Sequence, residues 1–147
     1  MIKLPEGVNI NILIDDLRDL SWGASEILLK YSQILKDSNG KSNILKSDNK
    51  ENPVTIADLE VNEFVIKRIN EKYNAINWEI LSEENSKIAL NNFYPNSDWV
   101  WVLDPLDGTK DFIQGTSNYA MHLALNYKQS PYLGVVLIPE KDELWIA

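Results

Sequence analysis

Residues Trp99-Val100-Trp101-Val102-Leu103 form an uninterrupted apolar run that gives way at once to Asp104-Pro105-Leu106-Asp107-Gly108-Thr109-Lys110-Asp111-Phe112. Such a run reads as a buried strand, and a buried strand requires a sheet with a packed interior around it. The polar residues that follow then stand where the strand leaves the core. Asp104 and Asp107 lie close together, with Pro105 stiffening the turn between them. Gly108 lets the backbone approach a ligand closely. Thr109 adds an oxygen able to orient a water. Hard oxygen donors of this kind suit Mg²⁺, and Mg²⁺ suits phosphate chemistry. An Asp-Pro-x-Asp-Gly sequence is also a good turn, so the specificity lies in the whole string behind an apolar strand.

The rest of the chain supplies what such a strand would pack against. Ile10, Leu13, Ile14, Leu17, Leu20, Ala24, Ile27, Leu28, Tyr31, Ile34 and Leu35 recur every three or four residues and predict a long amphipathic helix. A polar loop is expected over Asp37 to Asn52. A second helix is expected from Thr55, with Ala57, Val61, Phe64, Val65, Ile69 and Tyr73 facing inward. Asn77 to Leu81 reads as a short strand, and Lys87 to Asn96 as a helical turn and loop. From Tyr119 to Tyr127 apolar residues alternate with Ala120, His122, Ala124 and Asn126, the period of a strand. Tyr132 to Ile138 and Glu143 to Ala147 continue the meander. The expected fold class is therefore α+β, with helices packed on a mainly antiparallel sheet.

The bulk numbers narrow the function classes. The chain has 147 residues, 44% of them apolar and 24% charged, enough for one domain with a real core. No apolar run approaches a membrane span, and Met1 to Gly7 lacks the pattern of a signal peptide. The absence of cysteine rules out disulfides, thiolate metal sites and cysteine nucleophiles, and it fits a cytoplasmic setting. A net charge of −8 argues against a nucleic-acid polymer as partner. It is compatible with a small phosphorylated substrate if cations neutralise the carboxylates.

Three segments in order carry a resemblance. Asp104-Pro105-Leu106-Asp107-Gly108-Thr109 resembles the signature of the inositol monophosphatase superfamily of Mg²⁺-dependent phosphomonoesterases. Asn52-Pro53-Val54-Thr55-Ile56-Ala57-Asp58 is similar to the upstream element of that superfamily, and Leu81-Ser82-Glu83-Glu84-Asn85 to its middle element. Lys110-Asp111-Phe112 looks like the branch that cleaves 3′(2′),5′-bisphosphate nucleotides. The resemblance covers nearly all of residues 1–147 but only the front of the family. It implies an N-terminal metal-binding domain whose second half, with a further metal-binding aspartate and the sugar and base contacts, lies elsewhere.

The resemblance also implies roles. Glu83, Asp104, Asp107 and the main-chain carbonyl of Leu106 would hold two or more Mg²⁺ ions, with Asp104 bridging and Glu83 also serving catalysis. Asp58 and Thr109 would orient the water, while Asp107, Gly108 and Thr109 would contact substrate. The substrate would be adenosine 3′,5′-bisphosphate, giving AMP and phosphate; an inositol or other sugar phosphate, or a truncated fragment that only binds metal or phosphate, are the alternatives. A homodimer is a family-level expectation. Several residues keep a plainer reading. Thr55 and Asp58 have the spacing of a capping box at a helix start. Glu84 reads as a spectator, Lys110 as a surface lysine, and Asp111 and His122 are assigned no role. Lys46 and Lys50 could reach the site, but their loop is two residues longer than the usual run and has Asn52 where serine is customary.

Overall fold

The computed structural model describes residues 2–37, 55–86 and 95–147, with the side chains of residues 85 and 86 excepted. Residues 38–52 of the expected loop, and residues 87–94 of the one from Lys87 to Asn96, therefore lie outside the described residues, as do Lys46 and Lys50; Asp37, expected to open the first loop, instead ends the first helix.

The first long helix, α1, runs Ile10–Asp37. Asn9 caps it: its Oδ1 accepts from the backbone N–H groups of Asn11 at 2.9 Å and Ile12 at 3.3 Å. Leu13, Leu17, Leu20, Ala24, Leu28 and Leu35 are buried along one stripe, as the periodicity predicts, whereas Ile10 and Ile34, expected on that stripe, are exposed near its two ends. The second helix, α2, runs Ile56–Lys72 and buries Ala57, Val61, Val65 and Ile69. Where the helices meet, Gly23 makes room for Phe64, whose ring tip would lie 2.5 Å from a Cβ at that position. No described helix is long and apolar enough to cross a membrane.

Five strands form one sheet: β1 Glu79–Ser82, β2 Trp99–Asp107, β3 Ala120–Tyr127, β4 Ser130–Ile138 and β5 Glu143–Ile146. Their spatial order follows the chain, β1-β2-β3-β4-β5. The sheet is mixed but mostly antiparallel, since β1 pairs with β2 in parallel and every other pair is antiparallel. A one-turn helix, α3 (Glu83–Ser86), follows β1 directly, and another, α4 (Thr109–Ile113), follows β2. A short 3₁₀ turn, Pro139–Lys141, joins β4 to β5.

The core lies between α1, α2 and one face of the sheet. Trp101 pairs across with Leu125, and Leu103 with Leu123. Leu123 pairs in turn with Val135, Leu125 with Leu133 and Met121 with Leu137. All of these residues are buried. Strict alternation on β3 and β4 puts Ala124, Val136 and their neighbours on the other face.

One boundary differs from expectation in a way that matters. Strand β2 does not stop at Leu103; it continues through Pro105 and Leu106 to Asp107. Pro105 is tolerated there because the ladder is already broken: Asp104 pairs with His122 and Asp107 with Ala120, so two residues of β2 lie between those pairs where β3 has one.

Candidate metal and phosphate site

The break in the ladder sets the geometry of the site. Residues three apart on a regular strand point to opposite faces. The extra residue between Asp104 and Asp107 re-phases the strand, and their charges meet. Asp104 Oδ1 also accepts from the Leu106 backbone N–H at 3.1 Å, a local turn that fixes its carboxylate at the strand end. Glu83 arrives from the parallel neighbour. Ser82, the last residue of β1, pairs with Leu103, so Glu83, which opens α3 directly after it, comes beside Asp104. Ser82 is itself anchored, its buried hydroxyl donating to Asn62 Oδ1 on α2.

Asp104 thus has a carboxylate neighbour on either side near the end of β2, Glu83 and Asp107. Asp104 is half-buried, and burial first, then the charges of Glu83 and Asp107, push its carboxyl up to about 7; the Leu106 N–H pulls the other way. Glu83 and Asp107 are exposed. Among the described residues no three such side chains close on a single point as a finished ligand cage. The donor set nonetheless suits a hard divalent cation. It contains carboxylate and carbonyl oxygens, no sulfur, and a partly desolvated negative charge that a cation would neutralise.

Thr109 and Asp58 are brought together beside it. Thr109 Oγ1 lies 2.9 Å from the Leu106 carbonyl oxygen, to which it donates, and 3.4 Å from Asp58 Oδ1. The Leu106 carbonyl keeps a second lone pair, while the Leu106 side chain is buried in the core. Asp58 is 2% exposed. Its Oδ2 accepts from the Thr55 hydroxyl and, at 2.8 Å, from the Thr55 N–H, while Thr55 Oγ1 accepts from the Asp58 N–H at 3.3 Å. The capping box is therefore complete, and one carboxylate oxygen is left to face Thr109. Burial raises the Asp58 carboxyl above its ordinary value, partly offset by the hydrogen bonds from Thr55 and Thr109.

Gly108 makes the turn possible. Its φ is +83°, and a Cβ there would lie 2.5 Å from the Asn118 carbonyl oxygen. The chain enters α4 at once, with Phe112 N–H donating to Gly108 O at 2.9 Å. Lys110 is exposed. Asp111, without a role in the sequence, braces the following loop by accepting from the Thr116 hydroxyl at 3.0 Å. Two further residues enter only through the fold. His122 stands opposite Asp104 across the β2–β3 pair. Asn62 lies one turn beyond Asp58 on α2, a spacing that puts both on one face.

Residues 13–147 match the inositol monophosphatase family. The chain is 38% identical over 97 residues to the 3′(2′),5′-bisphosphate nucleotidase CysQ of Haemophilus influenzae, covering 65% of this chain and 34% of that protein. It is 31% identical over 114 residues to the inositol monophosphatase of Dictyostelium discoideum, covering 78% of this chain and 40% of that one. The crystal structure of CysQ from Bacteroides thetaiotaomicron superposes with a TM-score of 0.59 at 32% identity, over 84% of this chain and 41% of its own. The chain spans about a third of the length of the first curated relatives it matches. With its family signature falling on the strand end where the carboxylates meet, this chain belongs to the inositol monophosphatase family.

Proposed function

We propose that residues 1–147 form the N-terminal, metal-binding part of a Mg²⁺-dependent phosphomonoesterase that converts adenosine 3′,5′-bisphosphate to AMP and phosphate. The reading rests on the meeting of Glu83, Asp104 and Asp107 at the end of β2, beside the Thr109–Asp58 pair. Glu83, Asp104, Asp107 and the Leu106 carbonyl would hold Mg²⁺, which when bound neutralises the carboxylates, polarises phosphoryl oxygens and eases deprotonation of water. Thr109 would orient the water by accepting from it, its one hydroxyl proton being shared between the Leu106 carbonyl and Asp58 Oδ1. Asp107, Gly108 and Thr109 contact the phosphate. The nucleotide substrate is supported by Lys110-Asp111-Phe112 and by the likeness to proteins named 3′(2′),5′-bisphosphate nucleotidase. Likeness to an inositol monophosphatase favours a second reading on the same scaffold, an inositol phosphate substrate. The short span relative to those proteins favours a third, a part that needs further chain to turn over.

Phosphate release with Mg²⁺, from adenosine 3′,5′-bisphosphate and from inositol 1-phosphate side by side, separates these. Selective cleavage of the nucleotide, abolished by Asp104→Asn, is the expected result. Preference for the inositol phosphate would replace the substrate. Silence on both, from the 147-residue chain and from one extended past Ala147 alike, would overturn the phosphatase reading.

A further inference from the structure

Helix α2 buries a polar pair among its apolar residues. Ala57, Val61, Val65 and Ile69 face the core, but so do Asp58 and Asn62, at 2% and 5% exposed. One turn apart, the two lie on one face of the helix. Asp58 Oδ1 is 3.4 Å from Thr109 Oγ1, on the first residue of α4. Asn62 Oδ1 accepts from the Ser82 hydroxyl at the end of β1. A single helix therefore touches both segments that carry the carboxylates, the one leading to Glu83 and the one that follows Asp104 and Asp107.

Packing alone gives no reason for the Asn62–Ser82 contact. Ser82 has no exposed surface, and alanine would fit the same space. Asparagine is a poor helix residue and brings a polar amide into the interior. A buried polar pair adds little net stability, but it ties its two elements in one arrangement.

Glu83 needs such a tie. It is exposed, so packing does not hold its side chain. It opens α3, which at four residues is too short to stabilise itself. Strand β1 is also four residues long, with β2 on one side and no strand on the other among the described residues. The like charge of Asp104 opposes the approach of Glu83. Ser82 directly precedes Glu83, so anchoring its side chain fixes the point at which the chain leaves β1.

We propose that Asn62 is a positioning residue of the metal site, acting through Ser82 to hold Glu83 beside Asp104. The role rests on Glu83 being a cation ligand, as proposed above. Asp58 and Asn62 then place both ligand-bearing segments from one rigid mount, spaced by a helical turn of about 5.4 Å.

Threonine and valine have the same shape and differ in the hydroxyl, so position 82 offers a clean comparison. Mg²⁺ binding to the 147-residue chain is measured by titration calorimetry. Ser82→Thr should bind Mg²⁺ about tenfold more tightly than Ser82→Val, the usual effect of losing a partner behind a metal ligand. Asn62→Leu should lose about tenfold against the parent, and combining it with Ser82→Val should add nothing further. Without metal, ¹⁵N relaxation should show the Glu83 amide order parameter falling from about 0.85 toward about 0.6 in Ser82→Val and Asn62→Leu. Those of Asp104 and Thr109 should stay unchanged, which a general loosening of the fold would not leave so. Equal Mg²⁺ affinity in Ser82→Thr and Ser82→Val would overturn the proposal, as would additive losses in the double variant or an unmoved Glu83 order parameter. Should the methyl shared by threonine and valine prevent folding, Ser82→Ala against the parent makes the same comparison. A parent chain that binds no Mg²⁺, or binds it equally well as Asp104→Asn, would remove the metal site itself and the role of Asn62 with it.

Discussion

Asp58 uses its two carboxylate oxygens for different purposes. One closes the cap of α2 and the other faces Thr109. Asp58→Ala leaves the Thr55 N–H and hydroxyl without their acceptor in a buried setting and should cost about 2 kcal/mol, measured by urea denaturation. Asp58→Asn keeps an acceptor at the same place and should cost less than half of that, so any larger loss of phosphatase activity in Asn reports the carboxylate and not the cap. Asp104 is the opposite case, a residue held against its own comfort. It is half-buried beside two like charges. Asp104→Asn should therefore raise the metal-free stability by about 1 kcal/mol, the usual gain from relieving a functional site. If the proposed site binds Mg²⁺, the ion should raise the Tm of the parent chain and leave that of Asp104→Asn unchanged. A calorimetric scan of both proteins with and without Mg²⁺ checks the pair of effects; a destabilised metal-free Asn variant would contradict the repulsion argument.

At the scale of elements, the site is a product of strand pairing. The carboxylates were readable because an apolar run ending in Asp-Pro-Leu-Asp-Gly can be seen without partners. The length of β2 was not, because Pro105 reads as a stop unless a broken ladder makes room for it, and the break depends on register with β3. Glu83 reaches Asp104 only through the parallel β1–β2 pair, and His122 faces Asp104 only through the antiparallel one. Neither neighbour relation is written in local periodicity. Both helices were legible, since their stripes repeat over many turns and their caps use local residues. The turn after β2 makes a sharp prediction. Gly108→Ala forces a Cβ against the Asn118 carbonyl at a positive φ, and should destabilise the chain by about 2 kcal/mol. Substituting Gly115, also at positive φ but with nothing near its missing Cβ, should cost less. Equal losses in the two would mean that backbone conformation alone, and not the close approach, sets the requirement.

Across the whole molecule, one carboxylate ties the first helix to the end of the sheet. Glu140 Oε1, on the turn between β4 and β5, accepts from the Ser32 hydroxyl at 2.6 Å and the Lys36 ammonium at 2.7 Å on α1, and from the Tyr119 hydroxyl at 3.1 Å. Partial burial pushes its carboxyl up, but these hydrogen bonds and the Lys36 charge outweigh it and hold the group below its ordinary value of 4.5. A carboxyl depressed in the folded state stabilises above its ordinary range and loses that contribution as pH falls through the folded value. Glu140→Gln should thus lower stability by about 1 kcal/mol at pH 7, with the gap to the parent closing below pH 4. Denaturant midpoints at both pH values test it; a gap that persists in acid would assign the effect to packing.

The order of strands has a kinetic meaning as well. From β2 to β5 each strand pairs antiparallel with its successor in sequence, β3–β4 and β4–β5 through short turns and β2–β3 across residues 108–119, which include α4. An antiparallel pairing of sequence neighbours needs no crossover, and the two hairpins of the meander close the shortest loops, whereas a parallel pair has to wait for its crossover. In a refolding chain the meander that carries Asp104 and Asp107 would assemble before β1 delivers Glu83. The third negative charge would then arrive last, after enough scaffold exists to withstand its repulsion.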